Sequence, residues 1–211
     1  MMRINTLFFI LLGIIVLSII AKNTILSPKP SAVPLSDQTI LAFGDSLTYG
    51  YGASREESYP QRLQYLLGRE VINAGIPGEL SSEGVKRLPE LFEKYNPSLL
   101  ILCHGGNDIL QKKEMNLLRA NLEKMILLAK SKNIEVILIA VPEFGILNLT
   151  PPPLYRELSD KYSIPIEEDI LPELLHDNRY KSDLIHPNAA GYEKMAKAVE
   201  KVIRENYVLA E

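Results

Sequence analysis

Four short apolar runs recur along the chain: TILAF at 39–43, VINAG at 71–75, SLLILCH at 98–104 and EVILIAV at 135–141. A strand that is apolar at almost every position has no face for water and must be covered on both sides. Between these runs lie amphipathic stretches. Residues 114–131 put Met115, Leu118, Leu122, Met125, Ile126 and Ala129 on one face. Further helices are predicted from about Ser58 to Leu67, over Val85–Tyr95 with a bend near Pro89, over 154–162, and from about Asn188 to Glu205. The last of these places Tyr192, Met195, Val199 and Ile203 on one side. A short fifth strand is expected near Ile164–Ile166. This alternation predicts an α/β fold, a mainly parallel five-stranded sheet between helical layers with right-handed crossovers. No repeat or second domain is visible, and 211 residues, 46% hydrophobic, suit one core spanning 38–211.

The N-terminus is different in kind. Residues 7–21 read LFFILLGIIVLSIIA, with Arg3 before them and Lys22 after. As a helix, the uncharged stretch between those charges would span roughly 27 Å, close to a thin bilayer core. The same features describe a signal peptide ending at Ala21, although Ile19 stands where a small residue is preferred. Segment 1–21 is therefore expected to be a hydrophobic helix acting as a signal anchor or a cleaved signal. Arg3 favours a cytoplasmic N-terminus and an exported body, at the periplasmic face of the inner membrane or free in the periplasm or medium. Residues 22–37, with three prolines, read as a tether without strand or helix.

Composition excludes some functions. A net charge of −3 gives no electrostatic grip on nucleic acid. The single cysteine, Cys103, makes neither an intramolecular disulfide nor a cysteine zinc site. Three scattered histidines offer no metal cluster. No feature of the chain calls for more than a monomer.

In parallel sheets ligands sit beyond the carboxyl ends of the strands. After the first run comes GDSLTYG (44–50), where a turn would expose the Ser46 hydroxyl. Its flanks, Asp45 and Leu47, are not those of a G-x-S-x-G elbow. After the second comes NAGIPGELSSEG (73–84), whose Gly78 precedes a helix and offers a backbone N–H. After the third comes GGND (105–108), with the Asn107 amide as donor. Near the C-terminus, DLIHPNAAGY (183–192) sets Asp183 three residues before His186, with Pro187 able to start a helix. Each motif alone has an ordinary turn reading. Together they supply a nucleophile, a base, its orienter and oxyanion donors.

These four blocks, in this order, resemble the SGNH hydrolases, or GDSL esterase/lipase family, over residues 39–205. The segments PPPLYRELSDKY (151–162) and KSDLIHPNAAGY (181–192) look most like the bacterial arylesterase, thioesterase I and lysophospholipase L1-like group. The resemblance implies the flavodoxin-like three-layer α/β/α sandwich of that family, with no cofactor. It implies Ser46 as nucleophile, His186 as base and acid, and Asp183 as its partner. It implies an oxyanion hole of the Ser46 N–H, the Gly78 N–H and the Asn107 amide. The expected substrate is a small acyl ester or thioester, lysophospholipid included. Two alternatives carry different signatures. A carbohydrate O-deacetylase would prefer acetyl groups, and a dead acyl-ligand-binding module would bind without turnover. A longer acyl chain needs an apolar channel, which Phe144, Ile146, Leu147 and Leu149 are expected to supply.

The remaining candidates read as structural. His104 stands where relatives more often carry an apolar residue; it reads as a satisfied, partly buried histidine, or as one that tunes the oxyanion loop. His176 is expected to be exposed, and Cys103 to be a small core hydrophobe. Asp45 and Asp108 are expected to bind loop backbone.

Overall fold

The computed structural model describes residues 33–36, 39–145 and 149–209. The expected hydrophobic helix over 1–21, the tether residues 22–32, and Ile146 and Leu147 lie outside the described residues.

The sheet follows the apolar runs. Strands β2 (Ile40–Gly44), β3 (Val71–Gly75), β4 (Leu99–Cys103), β5 (Glu135–Ile139) and β6 (Ile166–Glu167) form a five-stranded sheet. They lie in the order β3-β2-β4-β5-β6, and every pairing is parallel. Every residue of β2 and β4 is buried. The chain first steps from β2 to β3 and then crosses back to β4 on the other side of β2. That reversal opens a crevice beyond the carboxyl ends of β2 and β4.

Two helix pairs supply the cover. Helices α2 (Tyr59–Leu67) and α8 (Ala189–Asn206) pack together, as do α3 (Ser81–Tyr95) and α5 (Met115–Ser131). The α5 stripe buries Leu118, Leu122, Met125, Ile126 and Ala129 as its spacing predicts. Met115 departs from it: in the first turn of α5 it is 36% exposed. On α8, Tyr192, Met195, Val199 and Ile203 are buried. Helix α3 is continuous across Pro89. Helix α6 (Leu154–Tyr162) follows the proline run as expected.

Part of the predicted tether is structured. Val33–Leu35 forms β1, pairing in parallel with β7 (Tyr207–Leu209), and Leu35 is buried. A three-residue strand with Pro34 at its centre has no periodicity, and its partner lies at the far end of the chain. A two-stranded edge can hold a proline that donates no ladder bond. A second unexpected element is α7 (Ile170–His176), which buries Ile170, Leu171, Leu174 and Leu175. Glu167 caps it by accepting the Asp169 and Ile170 N–H groups. Seven residues containing Pro172 are too few to show a helical period.

Candidate active site

Strand β2 ends at Gly44, and the chain turns at once into the short helix α1 (Ser46–Tyr49). Asp45 caps α1 by accepting the Leu47 N–H at 3.1 Å. This puts Ser46 on the first residue of the helix, half-buried at the edge of the crevice. Asp45 itself is only 1% exposed. Burial pushes its carboxyl above the ordinary range, against the pull of the Leu47 and Gly106 N–H groups that bond it. Asp45 is therefore a structural carboxyl of the turn, as expected.

The 181–187 loop brings the base to the serine. A bridge pairs Lys181 with Pro187, and the Ser182 N–H donates to the His186 carbonyl at 2.9 Å. Asp183 Oδ1 accepts two backbone N–H groups, from Ile185 and His186, each at 2.8 Å. Its Oδ2 lies 2.8 Å from His186 Nδ1. On the other side of the ring, His186 Nε2 is 3.0 Å from Ser46 Oγ. The residues that meet are 140 apart in sequence. Burial would raise the Asp183 carboxyl. The Ile185 N–H, the His186 side chain and N–H, and the His186 charge outweigh it and hold Asp183 below its ordinary value. Pro187 does not start the helix: Asn188 is the N-cap of α8, accepting the Gly191 N–H. A carboxylate at Nδ1 keeps the proton there and leaves Nε2 free to accept from the serine.

The expected oxyanion donors line the same cleft as Ser46 and His186. Gly78 lies in the 76–79 turn, closed by the Glu79 N–H donating to the Ile76 carbonyl. Its φ of +83° is in the left-handed region, where a side chain is strained, although a Cβ would meet nothing within 4 Å. Asn107 lies on α4 (Gly106–Leu110). Its Nδ2 donates to the Glu79 carbonyl at 3.1 Å and reaches Asp45 Oδ2 at 3.4 Å. Both glycine-rich loops thus converge on one serine.

Residues 42–194 match the model of the GDSL-like Lipase/Acylhydrolase family. The chain belongs to that family. This GDSL-family chain is 33% identical over 123 residues to an arylesterase of Vibrio mimicus, covering 54% of the chain and 62% of that protein's length. It is 29% identical over 157 residues to thioesterase 1/protease 1/lysophospholipase L1 of Escherichia coli K12, covering 71% of the chain and 76% of that protein. Its fold is like that of the psychrotrophic esterase EstA from Pseudoalteromonas sp., with a TM-score of 0.70 at 23% identity, over 80% of this chain and 97% of the other. The expectation of an ester or thioester hydrolase of this family holds.

Tyr51, Leu110 and Ile185 shape the site and carried no sequence signal. Tyr51 lays its ring against His186, with centroids 4.6 Å apart, and its carbonyl accepts the Tyr192 hydroxyl. The cleft over Ser46, about 190 Å³, is also walled by Leu110, Phe144 and Ile185. Leu110 and Phe144 are shared with an adjoining hollow of about 460 Å³ that includes Ile109 and Met115. Of the expected channel residues, Phe144 is therefore at the site. Leu149 is not: it lines a separate hollow of about 890 Å³ against α7, which contains neither Ser46 nor His186.

The candidates read as structural behave so. Cys103 is buried, and burial raises its thiol well above the ordinary value. Asp108 accepts the Ser81 N–H and hydroxyl. His176 is exposed. His104 is fully rather than partly buried, at 0% exposure.

Proposed function

We propose that Ser46 is the nucleophile of this hydrolase, His186 its general base and acid, and Asp183 the orienter of the imidazole. The supporting observation is the unbroken line from Asp183 Oδ2 through both His186 nitrogens to Ser46 Oγ, at 2.8 and 3.0 Å. His186 takes the Ser46 proton as Oγ attacks the acyl carbonyl. The Ser46 and Gly78 N–H groups and the Asn107 amide receive the developing oxyanion. His186 then protonates the leaving alcohol or thiol. A water, deprotonated by the same imidazole, attacks the acyl-enzyme and frees the serine.

The substrate is an ester or thioester with an acyl chain longer than acetyl, such as a lysophospholipid. Phe144 and Leu110 support this reading: they are shared between the cleft and an adjoining hollow where Ile109 and Met115 add apolar surface, with Lys112, Lys113 and Glu143 also on its lining. A carbohydrate O-deacetylase needs no such extension. The apolar run 7–21, flanked by Arg3 and Lys22, supports export with the body outside the inner membrane, tethered there if the run is retained. Among the described residues no helix is long and apolar enough to cross a membrane.

The test is hydrolysis of p-nitrophenyl acetate, butyrate, octanoate and palmitate by the full chain in detergent, beside Ser46→Ala. The expected result is turnover that rises beyond acetate and disappears in S46A. A preference for acetate would favour the deacetylase. Turnover surviving in S46A would remove the assignment of the nucleophile.

A further inference from the structure

His104, the residue after β4, is the one fully buried imidazole among the described residues, and the mechanism above does not use it. A fully buried imidazole is costly unless both nitrogens are bonded. Here both are. Nδ1 accepts the Gly105 N–H at 2.9 Å, so the ring proton is on Nε2. Nε2 lies 3.2 Å from Glu79 Oε2 and donates to it. Helix α3 makes room for the ring at Gly84, where a Cβ would come within 2.7 Å of Nε2.

Glu79 is the residue after Gly78, and its carbonyl holds the Asn107 amide. Its carboxylate, 6% exposed, is gripped from the other side by Arg87, Nε to Oε1 at 2.8 Å and Nη2 to Oε2 at 2.6 Å. Arg87 also donates to the Ala74 carbonyl at the end of β3 and lies over the Phe43 ring. Burial would raise the Glu79 carboxyl, but the bonds from His104 and Arg87 and the charge of Arg87 hold it below the ordinary value. Glu79 thus stays an anion that can accept from both. On the His104 side, the Tyr155 hydroxyl donates to the His104 carbonyl at 2.8 Å.

We propose that His104 is a positioning residue for the oxyanion hole, its imidazole clamping the turn that carries Gly78 to the loop that carries Asn107. The ring binds the N–H that begins the Asn107 loop and the side chain that follows Gly78. Without it the turn and the loop are joined only by the Asn107 amide on the Glu79 carbonyl and, beyond Glu79, by Asp108 on Ser81, and the donors lose their common register. Loss of register weakens only the bonds made to the oxyanion, so it lowers kcat and spares KM. This inference rests on the reading of Ser46, Gly78 and Asn107 given above.

The test compares the full chain with His104→Asn, His104→Gln, Asn107→Ala and the double variant H104N/N107A on p-nitrophenyl butyrate. Asparagine keeps an acceptor for the Gly105 N–H but cannot reach Glu79. Glutamine keeps the donor to Glu79 and loses the acceptor. H104N is expected to lose about tenfold in kcat at unchanged KM, a fraction of what a large misplacement costs. The acid midpoint of its kcat/KM profile should stay where the parent's is, because Asp183, His186 and Ser46 are untouched. H104Q should fall between, about threefold down. H104N/N107A should be no slower than N107A within about twofold, because the clamp acts through the hole. Losses that multiply in the double variant, a raised KM, a shifted acid midpoint, or an H104N kcat within twofold of the parent would each overturn the proposal. If H104N does not fold, H104Q takes its place with N107A: a loss that vanishes in that background supports the clamp, and a persisting loss or none overturns it. S46A separates the two readings. Turnover surviving there removes the underlying assignment, whereas a dead S46A beside fully active His104 variants removes only the clamp.

Discussion

Replacing Asp183 by asparagine should do more harm than deleting its side chain. Oδ1 of Asp183 accepts two backbone N–H groups at 2.8 Å, and Oδ2 faces His186 Nδ1. An asparagine side chain can orient its amide in two ways. With its oxygen toward the backbone it keeps both of those bonds and points its NH₂ at Nδ1. With the amide flipped, NH₂ confronts two N–H donors, and each loses its acceptor at a cost of about 1–3 kcal/mol. The first orientation wins. His186 must then accept at Nδ1 and carry its proton on Nε2, facing Ser46 Oγ at 3.0 Å. An imidazole in that tautomer cannot take the serine proton, and kcat should fall about 10⁴-fold, as the same change does in serine proteases. In Asp183→Ala the tautomer is free. The Asp183 side chain is 45% exposed, so water can replace it at Nδ1. The loss there should be nearer 10²-fold, the lower end for general base catalysis. The two variants then differ by about 2.7 kcal/mol in barrier. Saturation kinetics on p-nitrophenyl butyrate measure both, with KM near the parent's. An asparagine variant within tenfold of the parent, or one as active as the alanine variant, would refute the tautomer argument.

Asn107→Ala should lower kcat about 10²–10³-fold by removing one oxyanion donor. It should also destabilise the fold by about 1 kcal/mol, since the Glu79 carbonyl loses its partner; steady-state kinetics and urea unfolding read the two effects separately. Because Asp183 is held below its ordinary value, its charge contributes stability at neutral pH that is lost as pH falls through the carboxylate range toward its folded value. Thermal melts of the parent and D183N between about pH 6 and pH 3 should therefore converge as pH falls; a constant gap would contradict the sign. Leu122→Ala, on the fully buried face of α5, should cost about 2–5 kcal/mol in urea unfolding and leave KM unchanged.

Much of the architecture and most of the chemistry are local properties of the chain. Ile40–Gly44 and Leu99–Cys103 are buried on both faces because nothing in them can face water. Their turn residues, Asp45 with Ser46 and Gly105 with Asn107, follow the strand ends directly. Such signals need only a few consecutive residues, so strands, helices and motif positions could be read in order. Local patterning fails where an element is too short to have a period or has a distant partner. Val33–Leu35 becomes a strand only against Tyr207–Leu209, and Ile170–His176 becomes a helix only by burying four side chains. Met115 follows the α5 stripe and yet is partly exposed, because the stripe predicts a face and not where the face's cover ends.

The site divides the same way. Residue types and spacing at 183–186 announced an orienter and a base, since a carboxylate three residues before a histidine can bond its ring through one tight loop. That Nε2 of this histidine lies 3.0 Å from Ser46 Oγ depends on a loop closing across the sheet from a serine 140 residues earlier. Tyr51 against His186, Phe144 rather than Leu149 on the cleft wall, and the His104–Glu79–Arg87 chain behind the donors are contacts between separate loops. The sequence alone determined which groups the chain brings to the carboxyl edge of its sheet. Only the tertiary structure decided their distances, because those depend on how separate loops pack, and no single segment carries that information.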